Sequence, residues 1–299
     1  MTDAHRLLVI SPVRNEAAHI ERVARSMGRQ TRPPDTWLVV DDRSDDETPA
    51  RLAHLARELP FMVALSTPDA YGADTLDRLA VAAEARAFNW ALDTVAWRGY
   101  THVGKLDGDI ELPEDYFERI LAEFDRDPAL GIGGGVLVEQ VGGRWQVMRT
   151  AREHVRGALK LYRRECFEAI GGIQERLGWD GIDQTYARMA GYRTRSFDHV
   201  VARHLRPVGT TYGALRGNLR GGETHYVLCF SPAWVLLKAV RYGCRRPYGV
   251  SGAVFLYGYG RARRRRVPRV EDPAYRRFVR RDERRRAAHR LGLGRADPA

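Results

Sequence analysis

Cysteine is scarce. The 299 residues hold three, Cys166, Cys229 and Cys244, with no metal-type spacing between them. An odd, sparse set argues against a disulfide framework and fits a reducing compartment. Long apolar runs are also missing. The first, Leu7 to Ile10, is shorter than the apolar core of a signal peptide. No stretch reaches the ~18–20 consecutive apolar residues of a spanning helix. Basic charge is missing from most of the chain. The formal net charge is +11, yet residues 241–290 hold 17 Arg against 4 acids, and residues 1–240 come out at −2. That balance excludes a protein built all over for wrapping nucleic acid. The 44% of hydrophobic residues excludes global disorder. The expectation is a cytoplasmic α/β protein, one large domain plus an appendage or two modest domains.

Residues 7–11 (LLVIS) predict a buried strand that Pro12 ends, and Asn15 is placed to cap a helix from Glu16 to Met27. Residues 37–40 predict a second strand, Glu47 to Glu58 a helix, 61–65 a third strand and 75–96 a long Ala-rich helix. Residues 101–106 predict a fourth strand, and Pro113 opens a helix to about Phe124. Strands alternating with helices imply βαβ units and a largely parallel sheet. Further on, GIGGGVLVEQV predicts a strand, 153–170 a helix, 183–190 a helix after a Gly-rich loop, and SFDHVVARHL a strand. No internal repeat is present. In parallel sheets, ligands bind at the C-terminal strand edge. Asp41 and Asp42 follow one strand and Asp107 and Asp109 another, so independent carboxylates converge on one edge.

Asp107-Gly108-Asp109 places two carboxylates where the chain turns. Mg²⁺ and Mn²⁺ take hard oxygen ligands of this kind, together with phosphate oxygens. A turn without chemistry is the alternative, since Asp-Gly-Asp is good turn sequence. In Asp41-Asp42-Arg43-Ser44-Asp45-Asp46-Glu47-Thr48, helix capping explains Ser44 to Glu47. It explains Asp41 and Asp42 less well, and a carboxylate there can accept from a nucleobase N–H or a ribose hydroxyl. Gly178-Trp179-Asp180-Gly181-Ile182-Asp183 puts acids at a loop-to-helix junction, either as caps or as a general base for a sugar hydroxyl. His204 is a structural or metal-binding imidazole.

Taken together these motifs resemble family 2 glycosyltransferases of the GT-A (nucleotide-diphospho-sugar transferase) fold. The resemblance spans Leu7 to Pro207. Ser11 to Glu16 is similar to that family's P-x-x-N-E segment, Asp41 to Thr48 to its D-D-x-S-x-D-x-T segment, and Asp107 to Asp109 to its D-x-D. Gly178 to Tyr192 resembles its Gly-rich loop, Glu-Asp pair and following helix. The resemblance implies a mostly parallel central sheet flanked by helices with a C-terminal helical appendage. It also implies a UDP-, GDP- or dTDP-sugar donor, a glycan or lipid-linked acceptor, and Mg²⁺ or Mn²⁺. By that likeness Pro12, Val13, Arg14, Glu16 and Gly108 line the nucleoside-sugar pocket, and Asp42 meets the base. Asp107 meets the ribose or metal, Asp109 is the principal metal ligand, His204 a further one, and Asp183 the base of an inverting displacement. Ile182 replaces the acid that usually precedes the base, and Asp180 is the alternative base. Arg86 and Asn89 fall on the helix that resembles the family's donor-side helix.

The expected domains are 1–207 (catalytic), 208–270 (helical, membrane-associating) and 271–299 (basic tail). Residues 226–240 and 248–259 are apolar and aromatic, and Arg261 and Arg263 to Arg266 follow. Such helices suit the headgroup interface of an anionic membrane, on the inner face of the cell membrane, or else cap the catalytic domain. No nucleic-acid partner is expected. Two other functions compete with the transferase. A sugar-phosphate nucleotidylyltransferase needs a Gly-rich N-terminal loop, and Ser11 to Glu16 has no Gly. A non-catalytic binding protein with a decayed site is suggested by Ile182 alone. Cell-envelope or exopolysaccharide synthesis is the pathway that the resemblance implies.

Overall fold

The computed structural model describes residues 5–68, 82–148, 150–206, 213–244 and 248–290. The chain divides into two compact units, Met1–Pro207 and Val208–Ala299.

The first unit is built on a nine-stranded sheet. Four strands form its parallel half: β1 (Leu7–Val13), β2 (Thr36–Asp41), β3 (Met62–Ser66) and β4 (His102–Leu106), in the order β3-β2-β1-β4. Beyond β4 the sheet is mixed. β8 (Leu159–Arg163) runs antiparallel to β4 and to β6 (Leu130–Val141). β9 (Arg193–His204) runs parallel to β6, and the two-residue β5 (Ile110–Glu111) is antiparallel to β9 at the edge. β7 (Arg144–Val147) pairs with β6.

Both faces of the sheet are covered. In β1, Leu7 and Val9 join one core while Leu8 and Ile10 join the other. That period-2 alternation between two apolar faces is why the strand reads as a continuous hydrophobic run. The first core adds α1 (Ile20–Gly28), α2 (Thr48–Glu58) and α4 (Tyr116–Arg126). The second adds α3 (Ala83–Asp93), α5 (Arg164–Ala169) and α6 (Trp179–Met189).

Several elements depart from the sequence expectation. Residues 153–170 do not form one helix: they hold β8 and the short α5. Leu159 and Leu161 of β8 point into one core and Tyr162 into the other, and long-range pairing with β4 and β6 overrides local helix preference. β1 runs through Pro12 to Val13, because past Ile10 it pairs only with β2 and no second neighbour needs the missing N–H. Asn15 does not cap α1, which starts at Ile20. It takes a left-handed φ of 54°, and its side-chain oxygen accepts from Asp45 N at 3.0 Å. The expected helix over 75–96 is described only from Ala83 to Asp93, and its residues 75–81 lie outside the described residues.

The second unit is described by itself. It contains α7 (Gly213–Val227), α8 (Pro232–Gly243), α9 (Val250–Arg264) and α10 (Pro273–Arg290). Val235, Ala239 and Phe255 form its core, joined by Phe230, Tyr242 and Tyr259. α7 and α9 cross closely, since a Cβ on Gly222 would lie 2.0 Å from the Phe255 carbonyl oxygen. The expected boundary at 207/208, Arg245, Arg246 and the tail from 291 lie outside the described residues. Among the described residues, no helix is long and apolar enough to cross a membrane.

Candidate functional site

The C-terminal ends of β1, β2 and β4 bring three loops together. The loop after β2 is held by its own side chains. Asp41 accepts from the Ser44 hydroxyl and Ser44 N, Asp46 accepts from Thr48 N at 2.8 Å and Ala17 N at 3.2 Å, and the Thr48 hydroxyl accepts from Glu16 N at 2.8 Å. Four polar residues of the D-D-x-S-x-D-x-T segment thus fasten this loop to the one after β1. Asp42 differs. It is buried at the strand end, its backbone N donates to Val13 O at 2.8 Å, and the Thr67 hydroxyl donates to its carboxylate at 3.1 Å. Arg14 donates to the Asp42 carbonyl oxygen at 3.1 Å. Pro12, Val13, Arg14, Glu16 and Asp42 therefore line one edge.

The loop after β4 packs on the same edge. A Cβ on Gly108 would lie 2.6 Å from Val13 Cγ1 and 3.1 Å from Glu16 Cγ, so only glycine allows the D-x-D turn to close on β1. The two carboxylates then diverge. Asp107 is bound by Lys105, whose ammonium also donates to Glu84 at 3.0 Å. Burial, against the pull of Lys105, raises the Asp107 pKa to about 6. Asp109 lies beside His204, with Oδ2 3.3 Å from Nε2. The other ring nitrogen, Nδ1, is 3.2 Å from Glu139. Against the upward push of burial, His204 and Arg206 hold Asp109 below the usual carboxylate range. Arg206 also donates to Glu16 at 2.7 Å. Burial first, then Asp109, raises the Glu16 pKa to about 8.

This donor set fits a divalent ion. A carboxylate on Nδ1 fixes the imidazole tautomer and leaves Nε2 for a metal, the usual carboxylate–histidine–metal arrangement. Asp109 and His204 then supply one oxygen and one nitrogen. Among the described residues, no three His, Cys, Asp or Glu side chains form a metal-holding group. The Asp107 carboxylate, expected to meet the ribose or the metal, is bound by Lys105. Further ligands have to come from substrate oxygens and water, as is common for Mg²⁺-type sites.

α6 begins at Trp179, so Asp183 lies in its second turn rather than at its start. Its side chain is 1% exposed and that of Lys160 is 0% exposed. The Lys160 ammonium donates to both Asp183 oxygens, at 2.7 and 2.9 Å. The Tyr162 hydroxyl and Gln184 N donate as well, each at 2.5 Å. Burial raises the Asp183 pKa and nearby Asp180 adds to the rise, while the Lys160 and Tyr162 hydrogen bonds favour the ionised form and oppose it. These hydrogen bonds occupy both oxygens of the carboxylate. Asp180, at the first turn of α6, is half-buried, and no described residue is seen to hydrogen-bond its carboxylate. Its carbonyl oxygen accepts from Lys160 at 2.7 Å.

A buried chain of charges links the two halves of the site. Trp179 Nε1–H donates to Glu84 at 2.9 Å, and its ring has the Lys105 and Lys160 ammonium groups each 5.1 Å from a ring centroid. Asn89 donates to Ile173 O at 2.8 Å, and Arg86 is 3.7 Å from Glu175, so both anchor α3 to the loop before α6. The reading from sequence assigned nothing to Lys105, Lys160, Glu84 or Glu139. One signal was available. The chain holds three Lys against 46 Arg, and Lys105 and Lys160 are both fully buried. A compact ammonium fits where a planar guanidinium does not.

Residues 8–69 match the glycosyl transferase family 2 profile. By sequence this segment resembles family 2 glycosyltransferases, and by fold the chain is GT-A. The match covers β1 to β3 and both loops that carry Arg14, Glu16 and Asp42. No curated protein matches the chain. Among solved structures, the chain is similar to the mannosyltransferase PcManGT of Pyrobaculum calidifontis, solved with GDP-Man and Mn²⁺. The identity is 20%, the TM-score 0.57, and the alignment covers 99% of this chain and 77% of that one. It is similar to GalNAc-T7, solved with UDP, GalNAc and Mn²⁺, at 12% identity and TM-score 0.57, over 95% of this chain and 55% of that one. It is also similar to S. aureus TarS 1-349, solved with UDP-GlcNAc, at 13% identity and TM-score 0.51, over 97% and 84%. These likenesses fix the fold: an α/β sheet flanked by helices on both faces.

Proposed function

We propose that the protein is a metal-dependent, inverting glycosyltransferase. It moves a sugar from a nucleoside-diphosphate donor to a glycan or lipid-linked acceptor. The observation that carries this reading is the Asp109–His204 pair, with Glu139 on the far ring nitrogen, at the strand edge that also presents Asp42. The metal-containing complexes of PcManGT and GalNAc-T7 support it. Cell-envelope or exopolysaccharide synthesis is the destination that the family resemblance favours.

Asp109 and His204 would hold Mg²⁺ or Mn²⁺, and the bound ion would supply positive charge against the departing diphosphate. Glu139 keeps the His204 proton on Nδ1. Arg206, oriented by Glu16, adds a second positive group beside Asp109. Asp42 accepts from the base or ribose. Asp180, in place of Asp183, takes the proton of the acceptor hydroxyl as that oxygen attacks the anomeric carbon. The bond from that carbon to the diphosphate breaks on the opposite face, and the nucleoside diphosphate leaves with the electron pair. No acid has to protonate it.

Calorimetric titration of UDP, GDP and dTDP, with and without Mn²⁺, tests the reading. Mn²⁺-dependent binding of one nucleotide is expected. Asp109→Ala and His204→Ala should each weaken it by roughly 10–100-fold, the scale of losing a ligand or its support. A folded protein that binds none of the three sinks the proposal.

A further inference from the structure

The second unit carries an apolar surface that the transfer reaction does not use. On α8 the exposed residues Ala233, Leu236, Leu237, Val240 and Cys244 recur at helical spacing and share one face. Leu236 is 56% exposed and Val240 61%. On α9 the exposed residues Ala253, Leu256, Tyr257 and Gly260 do the same, with Tyr257 61% exposed. Tyr248, before α9, and Val250, its first residue, are also exposed. Seven of the thirteen large hydrophobic side chains found exposed in the described residues fall between Leu236 and Tyr257. Scattered apolar residues need no explanation, but a concentration of this kind marks an interaction surface.

Charge identifies the partner. From Thr224 to Val270 there is no acidic residue, while the same stretch holds ten Lys and Arg. Arg263 to Arg266 follow the apolar stripe of α9 and are all exposed. Against the α8 face, Trp234, Leu237, Arg280, Glu283 and Arg284 line a cavity of about 440 Å³, and Arg280 lies 3.4 Å from Glu283. Leu237 thus belongs both to the apolar stripe and to a pocket edged by two arginines and one glutamate. Covering this face with a second copy of the chain would bring two acid-free, cation-rich stretches together, and like charges oppose that. Duplex nucleic acid would satisfy the arginines but leave the leucines in water.

We infer that α8 and α9 dock on a lipid bilayer surface. Leu236, Leu237, Val240, Leu256 and Tyr257 enter the boundary of the acyl chains, and the surrounding arginines meet anionic phosphodiester headgroups. Helices with an apolar face and a cationic rim bind in this way, lying in the interface plane without spanning it. The inference is independent of the transfer reaction, because docking needs no donor.

The test is cosedimentation of the full-length protein, without nucleotide, with phosphatidylcholine vesicles and with vesicles of about one-third phosphatidylglycerol. The expected result is at least about tenfold more binding to the anionic vesicles, weakened by salt. The variant Leu236→Ser, Leu237→Ser, Val240→Ser should lose about tenfold while keeping its circular dichroism spectrum, since all three side chains are already exposed. Arg280→Gln with Arg284→Gln should narrow the preference for anionic lipid. No binding to anionic vesicles at low salt overturns the inference, as does unchanged binding by the folded leucine variant. Self-association in ultracentrifugation that the leucine variant abolishes, without vesicle binding, would assign the face to a second copy. Duplex DNA that displaces the protein from vesicles, with the leucine variant still binding that DNA, would assign it to nucleic acid.

Discussion

Replacing Lys160 with Met isolates one buried charge. Asp183 has almost no contact with solvent, and Lys160 supplies two of its hydrogen bonds. In Lys160→Met the carboxyl either stays charged without its cation or takes up a proton. The first course costs ~3–5 kcal/mol. The second costs at most the free energy of protonating at pH 7 a group that titrates near 3.9 when unfolded, about 3 pH units at ~1.4 kcal/mol each, or up to roughly 4 kcal/mol, because burial already imposes part of it in the unsubstituted protein. The two estimates agree. The second also fixes the sign of the pH dependence. In the variant the folded pKa stands above the unfolded one, so the penalty is absent below about pH 4. It grows with rising pH until the folded pKa is passed. The loss should therefore be smaller at pH 5 than at pH 7. Urea unfolding followed by circular dichroism at pH 5 and pH 7 measures both values. In thermal scans the pH 7 loss should appear as a fall of roughly 8–16 °C, at ~2–4 °C per kcal/mol. The double variant Lys160→Met, Asp183→Leu should recover much of the loss, because removing both charges leaves neither uncompensated. A loss under ~1 kcal/mol at pH 7, or one that is no smaller at pH 5, would refute the reasoning.

Asp180→Asn should lower transfer by ~10²–10⁴-fold while calorimetric nucleotide binding stays near that of the unsubstituted protein; normal turnover would return the base to another residue. His225 is wedged between Phe230 and Phe255 and accepts from the Lys238 ammonium at 2.8 Å. Burial, then Lys238, lowers its pKa to about 3. The unfolded chain therefore binds the extra proton first, and stability contributed by neutral His225 is lost as pH falls from ~6.5 towards 3. His225→Phe should flatten that part of the acid-unfolding curve, and an unchanged curve would show that the ring is not held neutral. Gly222→Ala puts a methyl group against the Phe255 carbonyl; thermal unfolding should show a loss of ~1–3 kcal/mol, and full stability would mean that α7 and α9 separate at little cost.

Much of the parallel half of the fold was legible in the sequence. β1 and β2 carry apolar runs, Leu7 to Ile10 and Trp37 to Val40, because both faces of these strands are buried in the sheet; β4 keeps two buried polar residues, His102 and Lys105. The same logic failed at β8. Leu159-Lys160-Leu161-Tyr162 alternates faces, but its second and fourth residues are polar and both are buried. Lys160 is stable there only because Asp183, on a distant helix, accepts from it. Local pattern cannot report a partner that arrives from 23 residues away. Asp107 and Asp109 both follow β4, yet their carboxylates have different partners, Lys105 for one and His204 for the other.

The sequence by itself determined which residues could do chemistry: carboxylates at strand ends, a histidine after a strand, a run of arginines after two apolar segments. These follow from residue type and from the order of apolar and polar positions along the chain. The tertiary structure decided which of them are available. It closed Asp183 inside a shell of donors and left Asp180 half-buried at the helix start. It carried His204 on β9 to Asp109 and put Glu139 behind the ring. It turned the α8 leucines outward. Reactivity and docking depend on burial and on neighbours distant in sequence, and those are properties of packing that no stretch of chain contains alone.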